Sequence, residues 1–187
     1  IDKYSADGTL DCGARPRERH GVKRVLLGDG GLERLPDLAA QMYGSGLHFW
    51  VLSDENTETA AAARCKELLS RFHLSEAVLS ASPRPRTTHE LIQALAAEAG
   101  AVSPDLILAV GGGTISDIGN MVSKIIEVPN WCVATAPSVD AYSSGTSALK
   151  LKHGHKTQPA RPSELIFAEL AVLEQAPEKL FLSGIGD

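Results

Sequence analysis

Three consecutive glycines, Gly111-Gly112-Gly113, separate an apolar run from a segment with helical periodicity. The run 106–110 is continuously apolar, which is typical of a strand buried on both faces of a parallel sheet. After the glycines, Thr114-Ile115-Ser116-Asp117 open a segment whose apolar residues recur at helical spacing. Such a turn presents backbone N–H groups and the positive end of a helix dipole. The pattern therefore predicts an anion-binding turn, and we expect it to hold the pyrophosphate of a dinucleotide.

The glycine turn by itself is only moderately specific. It does not match the G-x-G-x-x-G fingerprint, and it follows the fourth predicted strand instead of the first. It also lacks the Lys-Ser/Thr pair of a P-loop. A tight structural turn is the alternative interpretation. We favour anion binding because three glycines permit an unusually close approach of the backbone to a ligand.

Other polar residues follow neighbouring predicted strands. Asp54 ends the second one, where a carboxylate can accept both ribose hydroxyls of an adenosine and would repel a 2′-phosphate, which favours NAD over NADP. An N-cap for the next helix explains Asp54 equally well. After the fifth predicted strand come Thr135, Ser138 and Ser144, in a hydroxyl-rich loop whose single charge is Asp140. Ligands of open α/β sheets bind on this side, although Asp is also a common turn former.

Predicted strands and helices alternate along the chain and would position these residues. The strands are expected over 23–28, 47–53, 76–80, 106–110 and 131–134, and the helices over 32–42, 55–72, 88–100 and 114–126. Such alternation indicates a parallel sheet with right-handed crossovers. We predict an α/β fold, a Rossmann-like parallel sheet flanked by helices. A hairpin around 152–156 and a strand over 165–168 would follow, and the stretch 173–182 is expected to turn helical after Pro177. Residues 1–20 are expected to be irregular.

Composition argues against several classes of partner. The 187 residues carry a formal net charge of −5 and no basic stripe, which disfavours nucleic acid and anionic membrane surfaces. Apolar runs fall short of the roughly 20 residues that span a bilayer, and a signal-peptide pattern is lacking. Cys12, Cys65 and Cys132 are odd in number and far apart, so we expect reduced thiols. We therefore expect a cytoplasmic protein with no nucleic-acid and no membrane partner.

Three separated motifs together resemble one enzyme family. The segments 111–117, 135–144 and 184–187 resemble, in order and spacing, the sn-glycerol-1-phosphate dehydrogenases. These enzymes belong to the superfamily of iron-containing alcohol dehydrogenases, glycerol dehydrogenases and dehydroquinate synthases. The resemblance covers most of the chain from Gly21 onward and implies the N-terminal domain of a dehydroquinate synthase-like fold. Residues 1–182 would bind NAD, and 183–187 would begin a helical metal-binding domain absent from this chain.

The resemblance implies a role for each motif residue. The implied cofactor-binding residues are Asp54, Gly111, Gly112, Gly113, Thr114, Ser116, Asp117, Thr135, Ser138 and Ser144. Asp140 would orient the substrate, and Asp187 would touch substrate and ligate a divalent metal, namely Zn, Ni or Fe. Two histidines of the second domain would complete that metal site, and none of the six present matches them. Since zinc wants three protein ligands, we expect no functional metal site from these residues alone.

The resemblance also implies a reaction. It is hydride transfer that interconverts dihydroxyacetone phosphate and sn-glycerol 1-phosphate, with NAD(H) or NADP(H) as cofactor. The full-length protein would be a homo-oligomer whose metal acts as a Lewis acid. Two alternatives lie within the superfamily: a glycerol or other polyol dehydrogenase, and an enzyme like dehydroquinate synthase. A third, of another class, is a nucleotide-binding module that does not catalyse a reaction.

Overall fold

The computed structural model of the protein describes residues 9–11, 21–151 and 153–186. Within them, seven strands form one sheet in the order β1-β2-β9-β6-β5-β3-β4. Its strands are β1 (Thr9–Asp11), β2 (Arg24–Leu27), β3 (His48–Asp54), β4 (His73–Leu79), β5 (Leu106–Gly111), β6 (Asn130–Ala134) and β9 (Leu165–Ala168). All pairs are parallel except β1 with β2. The predicted hairpin is present as β7 (Thr146–Leu151) and β8 (Gly154–Pro159). The α/β parallel-sheet prediction is confirmed.

Helices connect the parallel strands and cover both faces of the sheet. They are α1 (Leu35–Tyr43), α2 (Glu55–Thr57), α3 (Ala63–Leu68), α4 (His89–Val102), α5 (Gly113–Ile126), α6 (Leu170–Leu173) and α7 (Glu178–Gly186). A π-helical turn, Glu58–Ala62, joins α2 to α3. Along β3, Phe49 and Val51 pack with α1 and α3, whereas Trp50 and Leu52 pack with α4 and α5. Alternate side chains of a strand thus fill two separate apolar cores. No helix of the described ranges is long and apolar enough to cross a membrane.

Several predicted elements differ in extent from those observed. The strand predicted over 76–80 is β4, which begins at His73 and ends at Leu79. Residues 1–20 were expected to be irregular, yet Thr9–Asp11 pairs with β2; a strand of three residues is too short to show a period. The helix predicted over 55–72 ends at Leu68, where Leu69 leaves the helical region with ψ near 7°. The helix predicted after Pro177 is present as α7, which begins at Glu178 but continues to Gly186 instead of ending at Leu182, and a short helix, α6, precedes it.

The parallel strands bring the predicted site residues to one edge of the sheet. Asp54 ends β3 and Gly111 ends β5, while Thr135 directly follows β6. The backbone N–H of Thr135 donates to the carbonyl of Gly111 over 3.2 Å. The glycine turn and the hydroxyl-rich loop therefore lie side by side, at the edge where open α/β sheets bind ligands.

Candidate functional site

The glycine turn presents one open position at the start of α5. Gly112 is the N-cap of this helix and no side chain caps it. A Cβ built on Gly112 would meet nothing within 4 Å. Because the first N–H groups of a helix have no intrahelical acceptor, the turn offers backbone donors to an anion that approaches over Gly112.

The two flanking glycines are required for packing, and their predicted contact with a cofactor stays a prediction. A Cβ on Gly111 would lie 2.5 Å from the Cβ of Ile115, so glycine is required where β5 turns into α5. A Cβ on Gly113 would lie 2.9 Å from a methyl group of Val139, in the hydroxyl-rich loop. The three glycines therefore have different roles, and only Gly112 borders open space.

A second glycine-rich turn, Gly28–Gly31, follows β2 and is filled by the chain itself. The carboxylate of Glu169, which is 6% exposed, accepts hydrogen bonds from the N–H groups of Gly30 and Leu32 at 2.9 and 3.0 Å. This turn follows the first parallel strand, where the ordinary dinucleotide fingerprint lies. The N–H groups of Gly28, Gly30 and Leu32 thus have internal acceptors, whereas no side chain caps the turn after β5, which makes the latter the better candidate for an anion site. The sequence contains no signal for Glu169.

Asp54 caps the helix that follows β3. Its Oδ1 accepts from the N–H groups of Asn56 and Thr57 at 3.0 and 2.9 Å, and the Thr57 hydroxyl accepts from the N–H of Asp54. The capping interpretation of Asp54 is confirmed. These bonds use Oδ1, so Oδ2 lies outside the capping box. The role of Asp54 toward a ribose stays a prediction.

The hydroxyl-rich loop combines buried and exposed polar groups. Thr135 and Ser138 are each 7% exposed, whereas Ser144 is half-buried with its Oγ 3.0 Å from Oγ1 of Thr146. Asp140 is exposed. The hydroxyl of Tyr142 donates to the carbonyl of Ala136 over 2.7 Å and fixes the fold of the loop.

Asp140 lies at an apolar cavity of about 280 Å³. The cavity is bounded by the carboxyl ends of β2, β6 and β9 and by the loop; the lining includes Val25, Ala134, Pro137, Val139, Tyr142, Ile166 and Leu173. Asp140 is the only carboxylate of this lining. The arrangement suits a carboxylate that orients a small polar molecule, and this role stays a prediction.

A second cavity, of about 400 Å³, lies against the first turns of α5 and is called the basic cleft below. Its lining residues are Arg84, Pro85, Arg86, Thr87, Thr114, Asp117, Ala148, Lys150 and His155. Burial raises the pKa of Asp117, and this effect is opposed by the Ser147 hydroxyl and the Ala148 backbone. Ser116 is 3% exposed and its hydroxyl neighbours Cys132, so it faces the sheet. Of the implied cofactor residues, Thr114 and Asp117 therefore border this cleft.

Sequence reasoning missed the basic wall of this cleft. Arg84 and Arg86 come from the loop between β4 and α4, and Lys150 and His155 come from the hairpin. The alternation Pro-Arg-Pro-Arg over 83–86 is a signal that could have found half of the wall. The other half depends on how the hairpin folds back, which the sequence does not reveal.

The last described helix, α7, packs against the hydroxyl-rich loop. A Cβ on Gly184 would overlap the carbonyl oxygen of Pro137, so only glycine permits this approach. The predicted metal ligand Asp187 lies outside the described residues. Within the described ranges, no group of three or more His, Cys, Asp or Glu side chains could hold a metal ion.

Comparison with known proteins identifies the family. The model of the iron-containing alcohol dehydrogenases matches residues 26–177. The chain belongs to the iron-containing alcohol dehydrogenase family. Its glycine turn after β5 and the filled turn after β2 are thus features of a family member.

Two curated relatives of this family member are named glycerol-1-phosphate dehydrogenase [NAD(P)+]. The one from Bacillus licheniformis is 30% identical over 185 residues, covering 96% of this chain and 45% of the relative. The one from Methanosphaerula palustris is 27% identical over 163 residues, covering 87% of this chain and 44% of the relative. The chain therefore spans about half the length of the curated relatives it matches.

Solved structures show the same fold. Glycerol dehydrogenase from Schizosaccharomyces pombe superposes with a TM-score of 0.73 at 22% identity, over 87% of this chain and 41% of that one. This likeness confirms the fold class that the motifs predict.

Proposed function

We propose that this chain supplies the dinucleotide-binding part of an NAD(P)-dependent dehydrogenase that acts on sn-glycerol 1-phosphate and dihydroxyacetone phosphate. The open glycine turn carries the proposal, because Gly112 offers uncapped helix donors with no atom within 4 Å of its Cβ position. A pyrophosphate fits these donors in charge and in chemistry. The names of the relatives support the choice of NAD(P) and of glycerol 1-phosphate.

The nicotinamide half of the dinucleotide would lie toward the hydroxyl-rich loop. Thr135 is held beside the turn by its hydrogen bond to Gly111, and Ser138 is buried next to it. When bound, the cofactor supplies hydride transfer. The task of these residues is to orient it and to exclude water, while Asp140 orients the polyol at the neighbouring cavity.

Several features of the whole protein belong to the same proposal. Asp187 would ligate a divalent metal and contact substrate, with residues 183–187 starting a second domain that provides the other ligands. We further propose a homo-oligomer in the cytoplasm, without nucleic-acid or membrane partners. The buried, unpaired thiols of Cys65 and Cys132 are consistent with a reducing compartment.

Two measurements test the proposal. Titration of the protein with NADH, followed by calorimetry, is expected to show saturable binding; absence of binding at millimolar NADH would contradict the cofactor assignment. A version extended to the length of its relatives, supplied with Zn²⁺ or Ni²⁺, is expected to oxidise NADH with dihydroxyacetone phosphate. Activity on glycerol with NAD, and none with dihydroxyacetone phosphate, would overturn the substrate assignment and favour a glycerol dehydrogenase.

A further inference from the structure

The side chains that line the basic cleft carry an excess of positive charge. Four basic side chains, those of Arg84, Arg86, Lys150 and His155, face a single carboxylate, Asp117. The protein as a whole carries a net charge of −5, so this local excess of cations is opposite in sign to the rest of the molecule. A cleft of this kind concentrates anions.

The two cleft arginines differ from other arginines of the protein. Arg64, Arg71 and Arg161 pair with the carboxylates of Glu33, Asp37 and Glu164, respectively. Arg84 and Arg86 are exposed and form no ion pair with any residue of the described ranges. Their charges are therefore available to a ligand.

The segment that carries these arginines is held in place at both ends. At its start, the Glu55 carboxylate accepts from the N–H of Ala81 over 2.8 Å, directly after the capping box of Asp54. At its end, the carbonyl of Thr87 accepts from the N–H of Lys150 over 2.7 Å. Prolines precede both arginines and restrict their backbones. The arginines are thus presented by a constrained segment, which lowers the entropic cost of binding.

Lys150, which lies in the hairpin, lines the same cleft as the two arginines. Its Nζ lies 3.2 Å from Nε2 of His155, and both side chains line the same cleft. The backbone bond from Lys150 to Thr87 fixes the hairpin against the arginine segment. The two sources of positive charge therefore form one wall.

The order of strands in the sheet indicates which part of a bound dinucleotide would lie near this basic wall. The Asp140 cavity lies at the ends of β2, β9 and β6. The next strand in the sheet is β5, which ends in the glycine turn, and it is followed by β3, which ends in Asp54, and by the edge strand β4. The arginine segment follows β4. A dinucleotide with its pyrophosphate at Gly112 and its adenosine ribose near Asp54 would direct the ribose 2′ position toward this segment, at the opposite end from the substrate.

We infer that Arg84, Arg86 and Lys150 form a second phosphate-binding subsite, which takes the 2′-phosphate of NADP(H). This rests on the proposed function, since it presumes a dinucleotide at the glycine turn. Guanidinium groups bind phosphate through two parallel N–H bonds, and lysine binds it as a point charge. The subsite counteracts the repulsion expected from Asp54, whose Oδ1 is already occupied by helix donors. Both NADH and NADPH are therefore accepted, and the arginines set the preference between them.

The test compares the affinities of the protein for NADPH and NADH. Titration calorimetry is run on the unaltered protein, on the double variant Arg84→Ala/Arg86→Ala, and on a control, Arg64→Ala/Arg71→Ala, which removes two exposed arginines from surface ion pairs elsewhere. The cleft variant is expected to raise the Kd for NADPH at least about tenfold and that for NADH less than about threefold. The control leaves both values unchanged. Thermal unfolding shows that each variant is folded.

A competition measurement separates the sources of phosphate. 2′,5′-ADP, which carries both an adenosine 2′-phosphate and a 5′-phosphate, is expected to displace NADH more strongly than 5′-AMP from the unaltered protein but not from the cleft variant. Equal losses of NADPH and NADH affinity would overturn the inference and assign the arginines to the pyrophosphate. Unchanged NADPH affinity would overturn it too. If the unaltered protein binds neither dinucleotide, the proposed function itself fails.

Discussion

Glu169 and Gly30 are 139 positions apart in the chain, and Oε1 of the glutamate accepts a 2.9 Å hydrogen bond from the glycine N–H. The other carboxylate oxygen accepts from the N–H of Leu32 over 3.0 Å. The glutamate thus occupies the anion position of the Gly28–Gly31 turn. This internal contact is the reason why we place a bound pyrophosphate at the turn after β5 and not at the glycine turn after β2, the first parallel strand.

Replacing Glu169 by Gln should destabilise the fold. One oxygen becomes an NH₂ group that faces a backbone donor, so a buried N–H loses its acceptor, at a cost of about 1–3 kcal/mol. Urea unfolding followed by circular dichroism measures the change. Glu174→Gln, at an exposed position in the same region, is the control and should leave the free energy of unfolding unaltered. Equal stability of the two variants would contradict the role assigned to Glu169.

Gly112→Val should remove dinucleotide binding and leave the fold intact. The backbone of Gly112 has a φ of −79°, which any residue adopts, and its added side chain enters open space over the helix donors. We expect the Kd for NADH to rise at least about tenfold with little change in Tm. Gly111→Ala is the opposite case, because its methyl group would crowd Ile115 and cost about 1–3 kcal/mol of stability. An unaltered NADH affinity in Gly112→Val would contradict the anion site.

Asp54 caps a helix, and we propose that it also contacts the ribose of the cofactor. Two variants separate these roles. Asp54→Asn keeps an N-cap side chain but removes the charge, so we expect unaltered stability. We also expect a shift of about two- to fivefold in relative affinity toward NADPH, which is what one partly exposed charge contributes. Thr57→Val breaks the other half of the capping box and should lower stability by about 1 kcal/mol without altering cofactor preference. If neither variant changes the preference, Asp54 is a capping residue alone.

The thiols of Cys65 and Cys132 should be unreactive in the native protein. Both are 0% exposed, and burial raises the pKa of each to about 12. At pH 8 a thiol with such a pKa is ionised to roughly one part in 10⁴, and the thiolate is the reactive form. In a Cys12→Ser background, a disulfide reagent such as DTNB is expected to label neither thiol until denaturant is added. Rapid labelling of either in buffer would contradict their burial.

The sequence predicts the sheet, and the edge of the sheet at which the candidate site lies, because both depend on local patterns. The continuous apolar run 106–110 and the helical spacing after Thr114 require no knowledge of distant contacts, and β9 is found with the bounds that its apolar residues indicate. Asp54 is the intermediate case. Its N-cap geometry is local and was one of two predicted roles, whereas a ribose contact depends on a ligand.

The features that the sequence does not predict depend on contacts between distant residues. The sequence around Gly30 does not indicate that the carboxylate of Glu169 binds to its turn. The three glycines at 111–113 look alike in the sequence, which therefore does not show that Gly113 is needed to make room for Val139. Lys150 joins the basic cleft only because the hairpin folds onto the loop at Thr87. Contacts between residues this far apart in the chain are set by tertiary packing, which has no short-range signature in the sequence.

The approach of Gly184 to Pro137 joins a helix and a ligand loop backbone to backbone. Because no side chain lies between them, there is no flexible group to absorb a relative movement. A displacement of the loop at Ser138 would therefore displace α7 as well. Binding of a ligand beside this loop would in this way be coupled to the position of α7.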